Sequence, residues 1–377
     1  VNIDPVLKAL AAALHDEGPA VEIVVAEDGT PVAVPVETPG FEDAAVVVHT
    51  SGSTGTPKAT VLTVDELAAS SMATAIALRG EGQWLLALPL QYVAGVQVLV
   101  RSLFAGTRPW VMDLSNGFTP EAFTAAAEEL TDTIRFTSLV PTQLQRLLDS
   151  PSPQTLAALR RFNAILLGGA PAATALLDAA SEAGLKVVTT YGSAETCGGC
   201  VYDGRPLEGV RVMLDDDGRV LLGGDTVASG YLDAPEASAE AFFDEDGIRW
   251  YRTNDLGELA ADGTLTVLGR ADDVIITGGV KASAAFIQAE LEKFDGVTAA
   301  FVAGVPSREW GQAVAAYVAV EDSSPESVAD YKARCQESLG TLAPKTVLTT
   351  DGLIMLPNGK PDRLAMIELL TEVHQGE

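Results

Sequence analysis

The sequence predicts an α/β protein: a large α/β domain with a β-rich subdomain, followed by a small α+β domain. Three observations lead there. Apolar strand runs alternate with helical periodicity over the first half of the chain. Past residue 200 the texture changes to short strands separated by Asp/Gly turns. Beyond Arg270 a compact tail of strands and helices begins.

Each element has its own signal. Residues 3–14 form an expected first helix, with Asp4 able to cap and Pro5 in the first turn. Residues 21–25 and 32–36 are short strands, and 44–49 is a buried strand run. A Ser/Thr/Gly-rich loop follows, then a strand over 59–63 and a helix over 65–78. Strands at 84–88, 134–139, 164–167 and 186–190 alternate with helices at 93–105, 119–130, 141–148 and 171–180. Such alternation predicts parallel strands, with ligand loops at their carboxyl ends. Residues 210–214, 219–222 and 265–268 are the short strands of the β-rich part. The tail has a helix at 284–293, strands at 297–304 and 314–320, a helix at 325–339 and a strand at 346–350. The expected boundaries are a large domain over 1–269, a hinge over 270–272 and a small domain over 273–377.

Composition excludes several function classes. The 377 residues are 47 % hydrophobic and 20 % charged, enough to bury a large core. Acidic residues number 52 against 24 basic ones, a formal net charge of -28. That field opposes nucleic acid and anionic membrane surfaces. An enzyme handling phosphate here must collect its few cations at the site. Cys197 and Cys200 form a C-x-x-C, but no second pair completes a metal motif. They are expected to be reduced, incidental thiols. No targeting segment or bilayer-length apolar run is apparent, so the expected location is cytoplasmic.

The sharpest chemical signal is Thr50-Ser51-Gly52-Ser53-Thr54-Gly55-Thr56-Pro57-Lys58. Small residues let backbone N–H groups approach an anion, hydroxyls add donors, and Lys58 adds charge. The spacing fits neither a Walker A loop nor a dinucleotide fingerprint. Strand signals on both sides argue against a flexible linker.

This loop resembles the phosphate loop of the adenylate-forming superfamily: acyl- and aryl-CoA ligases, luciferases and peptide-synthetase adenylation domains. Further segments resemble the superfamily's other motifs, in the same order. They are Tyr191-Gly192-Ser193-Ala194-Glu195-Thr196, Tyr251-Arg252-Thr253-Asn254-Asp255, Gly269-Arg270-Ala271-Asp272-Asp273 and Leu356-Pro357-Asn358-Gly359-Lys360-Pro361-Asp362-Arg363. The resemblance covers nearly the whole chain and implies the multi-layered adenylate-forming fold with a mobile C-terminal domain. It implies ATP and CoA as co-substrates, Mg²⁺ as cofactor and an acid as small-molecule partner. A homodimer is left open.

The resemblance also assigns roles. Thr50, Ser51, Gly52, Ser53, Thr54, Gly55, Thr56 and Lys58 would bind the ATP phosphates. Gly168, Gly169 and Ala170 would wall the adenine, with Tyr191 stacked on it and Gly192 beside it. Asp255 and Arg270 would hold the ribose, Arg270 counting also as a catalytic residue beside Lys360, and Glu195 would hold Mg²⁺. Lys360 would bridge the substrate carboxylate and the α-phosphate, a task suited to a compact charge on a long stem. Asp272 would be the hinge, and Gly278, Gly279 and Lys281 would approach the acceptor thiol after domain rotation. Asn254 departs from the glycine usual in the ribose motif.

The acid is narrowed by two clues. The family usually has a much longer amino-terminal region, whereas about 50 residues precede the loop here. The segment from Leu88 to Arg101 resembles the compact actinobacterial branch of o-succinylbenzoate–CoA ligases, which serve menaquinone synthesis. Many members have histidine where this chain has Tyr92. Tyr92, Ser193 and Arg101 would then contact the acid, with Arg101 reading its non-reacting carboxylate. The alternatives are another aryl- or acyl-CoA ligase, a stand-alone adenylation protein loading a carrier thiol, and a non-catalytic acyl or nucleotide sensor.

Overall fold

The structure, a computed structural model, describes residues 2–26, 29–50, 58–115, 117–320, 325–356 and 361–376; the side chains of Thr50, Asp272 and residues 325–330 also lie outside the described part. Backbone contacts divide the chain into two units. The first takes Val1–Met213, Leu221–Thr253 and Leu259–Leu265, and the second takes Leu214–Val220, Asn254–Glu258 and Thr266–Glu377.

The first unit opens with helix α1 (Asp4–Leu14), which has Pro5 in its first turn and buries Val6, Leu10 and Leu14. Four strands follow: β1 (Val21–Val25), β2 (Pro31–Pro35), β3 (Ala44–Thr50) and β4 (Lys58–Thr63). Strands β3 and β4 are antiparallel, and Thr50 is paired with Lys58. The two ends of the Thr50–Lys58 segment are thus strand residues bonded to each other, and residues 51–57 between them lie outside the described part. Helix α2 (Val64–Ala77) begins at a capping box. Glu66 N–H donates to Thr63 Oγ1 at 3.3 Å, and Thr63 N–H donates to Glu66 Oε2 at 2.8 Å.

A second, seven-stranded sheet carries the parallel strands. Strand β5 (Gln83–Leu86) leads to helix α3 (Val93–Phe104), then β6 (Trp110–Val111), β7 (Arg135–Leu139), β8 (Ala164–Leu167) and β9 (Val187–Ser193). Strands β10 (Gly198–Tyr202) and β11 (Arg205–Pro206) add antiparallel pairs at one edge. The strand order is β11-β10-β9-β8-β7-β5-β6. One face is covered by the helices Pro120–Glu128, Pro141–Leu148, Pro153–Arg160 and Thr174–Glu182, packed around Leu85, Phe123, Leu139, Leu144, Phe162 and Ile165.

Next come β12 (Val210–Leu214), β13 (Arg219–Gly224), β14 (Gly230–Tyr231), β15 (Phe242–Glu245), β16 (Ile248–Leu259) and β17 (Leu265–Arg270). Strand β14 joins the first sheet beside β4, giving the order β14-β4-β3-β1-β2. A third sheet has the order β12-β13-β16-β15 with β17 beside β16. Strands β13 and β16 contribute residues to both units.

The rest of the second unit has a sheet of order β19-β18-β21-β20, with β22 beside β21. Its strands are β18 (Val274–Thr277), β19 (Val280–Ser283), β20 (Val297–Ser307), β21 (Gly311–Val320) and β22 (Thr346–Thr350). Helices Ala284–Leu291 and Pro325–Leu339 supply one apolar layer, and Arg363–Gly376 supplies the other through Met366 and Leu370.

The core of the parallel sheet gives a stability test. Phe123 is fully buried, with ring centroids of Phe118 at 5.8 Å and Phe162 at 6.0 Å. Phe123→Ala should destabilise the first unit by about 3–5 kcal/mol. A urea titration followed by tryptophan fluorescence measures it, and an unshifted midpoint would contradict the packing.

Candidate active site

In the first unit the parallel strands β8 and β9 deliver their carboxyl ends to one place. Gly168 follows β8, and its N–H donates to Leu139 O at 3.2 Å. A Cβ on Gly168 would lie 2.3 Å from Thr190 Oγ1, so only glycine fits there. Gly169 has φ +84° and is exposed, and Ala170 is half-buried. Tyr191, half-buried, and Gly192 lie on β9, paired to β10. A Cβ on Gly192 would sit 2.1 Å from Gly198 O. The two backbones approach this closely because both strands carry glycine.

The turn from β9 to β10 is fixed from several sides. Thr196 Oγ1 donates to Gly198 O at 2.8 Å and accepts Ser193 N–H at 3.0 Å. Cys197 is left-handed at φ 53°. Its carbonyl accepts Ser70 Oγ of α2 at 3.2 Å and Gln97 Nε2 of α3 at 2.7 Å. Ser193 Oγ is buried without a hydrogen-bond partner among the described residues. A ligand oxygen would satisfy it.

Glu195 projects from this turn and is only 6 % exposed. Its Oε1 accepts the Tyr231 hydroxyl at 2.8 Å. Lys58 Nζ lies 4.7 Å from the centre of the Tyr231 ring. Burial, then the adjacent Glu195 charge, pushes the Tyr231 phenol well up, so it stays a donor. No motif had singled out Tyr231. Its sequence signal is only a Gly-Tyr pair after an Asp/Gly-rich turn.

The donor set fits magnesium held jointly with nucleotide. No group of three or more His, Cys, Asp or Glu side chains that could hold a metal exists among the described residues. A single carboxylate, completed by phosphate and water oxygens, is the ligand set Mg²⁺ accepts.

Arg101 and Tyr92 occupy opposite ends of α3. Tyr92 is the half-buried residue before the first turn. Arg101 is in the last turn, nine residues on, which is roughly 13 Å of helix rise. Its guanidinium lies 5.2 Å from the Trp84 ring centre. Among the described residues it is the only buried arginine or lysine. No carboxylate pairs with it there, and its Nε lacks a hydrogen-bond partner. It borders a cavity of about 470 Å³ with Ser71, Trp84, Phe104 and Phe136, at the amino ends of β5 and β7. Ser71 Oγ is also buried and has no hydrogen-bond partner among the described residues. The structure therefore does not group Arg101 with Tyr191 and Gly168, which stand at the carboxyl ends of the strands.

The second unit presents two further groups. Asp255 on β16 and Arg270 on β17 face each other, Oδ1 to Nη1 at 3.9 Å. Asn254 Oδ1, next in the chain, accepts Arg219 Nη1 at 3.0 Å. The pair Gly278-Gly279 forms a two-residue turn between β18 and β19, with φ +56° and +84°. That is the type I′ geometry two glycines favour. Lys281, just past it, is exposed. Residues 51–56 and Lys360 lie outside the described residues, as do the side chains of Thr50 and Asp272.

Comparison with known proteins accounts for this assembly. Residues 4–232 match the AMP-binding enzyme family and residues 287–360 match the AMP-binding enzyme C-terminal domain, so the chain belongs to this adenylate-forming family. It is 41 % identical over 334 residues to a probable 2-succinylbenzoate–CoA ligase of Mycobacterium tuberculosis (strain CDC 1551 / Oshkosh), covering 86 % of this chain and 84 % of the relative. The 2-succinylbenzoate–CoA ligase of Listeria monocytogenes (serotype 4b, strain F2365) is 30 % identical over 343 residues, covering 87 % and 70 %. Among solved structures, the o-succinylbenzoate CoA synthetase of Bacillus subtilis in complex with its acyl-adenylate intermediate superposes with a TM-score of 0.73 at 27 % identity. The match covers 89 % of this chain and 72 % of that one. An ATP-bound RpMatB-BxBclM chimera gives 0.78 at 25 % identity, covering 93 % and 75 %. No helix among the described residues is long and apolar enough to cross a membrane.

The cysteines complete the picture. Cys197, Cys200 and Cys335 are free and buried. Burial pushes the Cys200 thiol up to about 12 and the Cys335 thiol up to about 11, and it drives Cys197 higher than its usual range as well. At pH 8 the native protein should therefore react with Ellman's reagent at under a hundredth of the rate of a free thiol. All three thiols should react once it is denatured. Fast titration of two thiols in the native protein would restore a redox reading of the C-x-x-C.

Proposed function

We propose that the protein activates o-succinylbenzoate with ATP and transfers the acyl group to CoA, giving o-succinylbenzoyl-CoA, AMP and pyrophosphate in menaquinone synthesis. The observation that supports the choice of acid is the 41 % identity, over 86 % of this chain, to a probable 2-succinylbenzoate–CoA ligase. A buried cation without a protein carboxylate among the described residues, as at Arg101, costs several kcal/mol and suits an anionic ligand. A dicarboxylic acid lying along α3 would have its reacting carboxylate near Tyr92 and Ser193. Arg101, the sequence's candidate for the second carboxylate, stands at the far end of α3 beside the amino ends of β5 and β7, so its part in reading that carboxylate is what the Arg101→Leu substitution decides.

In the first half-reaction a carboxylate oxygen attacks the α-phosphorus of ATP. The new O–P bond forms as the bond to the bridging oxygen breaks, and pyrophosphate leaves with that electron pair. The residues of 50–58, including Lys58, cradle the phosphates. Glu195 would hold a magnesium ion, which would offset phosphate charge. Gly168, Gly169, Ala170, Tyr191 and Gly192 border the base. Asp255 accepts the ribose hydroxyls, with Arg270 alongside. Lys360 bridges the carboxylate and the α-phosphate while charge develops between them. In the second half-reaction the CoA sulfur attacks the acyl carbon and AMP departs with the C–O bonding electrons. Turning about Asp272 exchanges Lys360 for the Gly278-Gly279-Lys281 turn.

Two measurements test this reading. Lys360→Ala should lower ATP–pyrophosphate exchange at least a hundredfold and leave the ATP Kd within about threefold, because the lysine acts on charge that develops in the transfer. Exchange at the wild-type rate would remove Lys360 from the chemistry. Arg101→Leu should lower kcat/KM for o-succinylbenzoate about tenfold or more, since truncating one partner of a buried charge pair costs about 2–5 kcal/mol. An analogue lacking the second carboxylate should lose far less. Equal losses on both acids would make Arg101 a structural residue.

A further inference from the structure

Tyr231 is held more tightly than a two-residue strand requires. It is 3 % exposed, and its backbone is in register with Thr60, two residues past Lys58. Its N–H donates to Ser238 Oγ at 2.9 Å. The Phe242 ring meets it edge-on at 5.2 Å, which sets the plane of the phenol. The hydroxyl donates to Glu195 at 2.8 Å, and the Tyr251 ring packs on Phe242 at 5.4 Å. Lys58 Nζ stands over the ring face at 4.7 Å. One rigid side chain therefore touches both a carboxylate and an ammonium that reach it from different sheets.

We propose that Tyr231 is a positioning residue that holds the Glu195 carboxylate through its hydroxyl and the Lys58 ammonium through its ring face. It thereby fixes the spacing between the metal-holding and phosphate-holding charges of the ATP site. The inference rests on the reading of Glu195 as the magnesium carboxylate. A carboxylate offers about four acceptor positions, and the phenol takes one on Oε1, leaving the others for a cation. The ring face attracts Lys58 through its quadrupole without neutralising it, so the ammonium keeps its charge for phosphate.

Phenylalanine and leucine separate the two contacts. Tyr231→Phe removes the hydroxyl and keeps the ring, whereas Tyr231→Leu removes both. The probe is Mn²⁺, whose binding to the enzyme–ATP complex is read by electron paramagnetic resonance without turnover. Tyr231→Phe should weaken Mn²⁺ binding about tenfold, the size expected for losing a hydrogen bond to a charged group. The magnesium concentration for half-maximal activity should rise by the same factor, with kcat at saturating magnesium changed less than about threefold. ATP binding in EDTA should stay unchanged in Tyr231→Phe and weaken about threefold in Tyr231→Leu. If the leucine variant does not fold, the phenylalanine variant alone decides the metal arm. A lowered Tm and kcat with an unmoved Mn²⁺ constant would make Tyr231 a packing residue and overturn the proposal. Glu195→Gln is the control. If it binds Mn²⁺ like the wild type, the reading of Glu195 falls and the proposal falls with it. If it weakens Mn²⁺ and Tyr231→Phe does not, only the proposal falls.

Discussion

Two helices meet at one peptide oxygen, and much of the candidate site hangs from it. Ser70 and Gln97 both donate to the carbonyl of Cys197, a non-glycine residue in a left-handed conformation. That conformation is costly for a side chain with a Cβ, by about 1 kcal/mol or more, and persists where the surroundings over-determine it. Here the surroundings are α2, α3 and the Thr196 hydroxyl. Because the turn is fixed, Glu195 is aimed at Tyr231 and Gly198 can approach Gly192. Moving either helix would move the carboxylate, so the packing of α2 and α3 sets where Glu195 stands.

Charge is distributed with the same economy. A chain with a formal net charge of -28 does not attract ATP in bulk. Screening limits the repulsion to about 8–10 Å at physiological salt, so cations within that range of the ligand decide binding. The structure spends them sparingly. Arg249 donates to the carbonyls of Ala228 and Ser229, fixing the segment that leads to Tyr231. Ser229 in turn donates to the buried Glu66 at 2.6 Å. Desolvation raises the Glu66 pKa, and the hydrogen bonds from Ser229 and Thr63 work against that rise.

The alternation of strands and helices was legible because each buried strand is a short apolar run bounded by polar turns, as at Ala164–Leu167. The motif residues were legible by type and order. Of the features that were not, three show why. The long strand Ile248–Leu259 has the burial of a half-exposed ladder, and its charged residues hide its period. The helix Pro153–Arg160 follows another proline-started helix so closely that the two blend in sequence. Tyr231 gains its meaning only from Glu195 and Lys58, residues far away along the chain, and no local pattern reports a contact of that kind. Arg101 shows the reverse case. Its residue type and neighbours suggested a ligand role, but only the fold puts it at the amino ends of β5 and β7, away from Tyr191 and Gly168.

The pairing of β14 with β4 also orders the protein's birth. Strand β4 leaves the ribosome with the phosphate-loop segment, whereas its outer partner is made some 170 residues later. At about 5–20 residues per second, that leaves β4 a bare sheet edge for roughly ten to thirty seconds. Bare edges invite pairing with other chains. The two residues of β14 close that edge, and the tyrosine among them reaches Glu195 in the same step. The nascent chain thus cannot bring the Glu195 carboxylate and the Lys58 ammonium together on one phenol until that strand has been added.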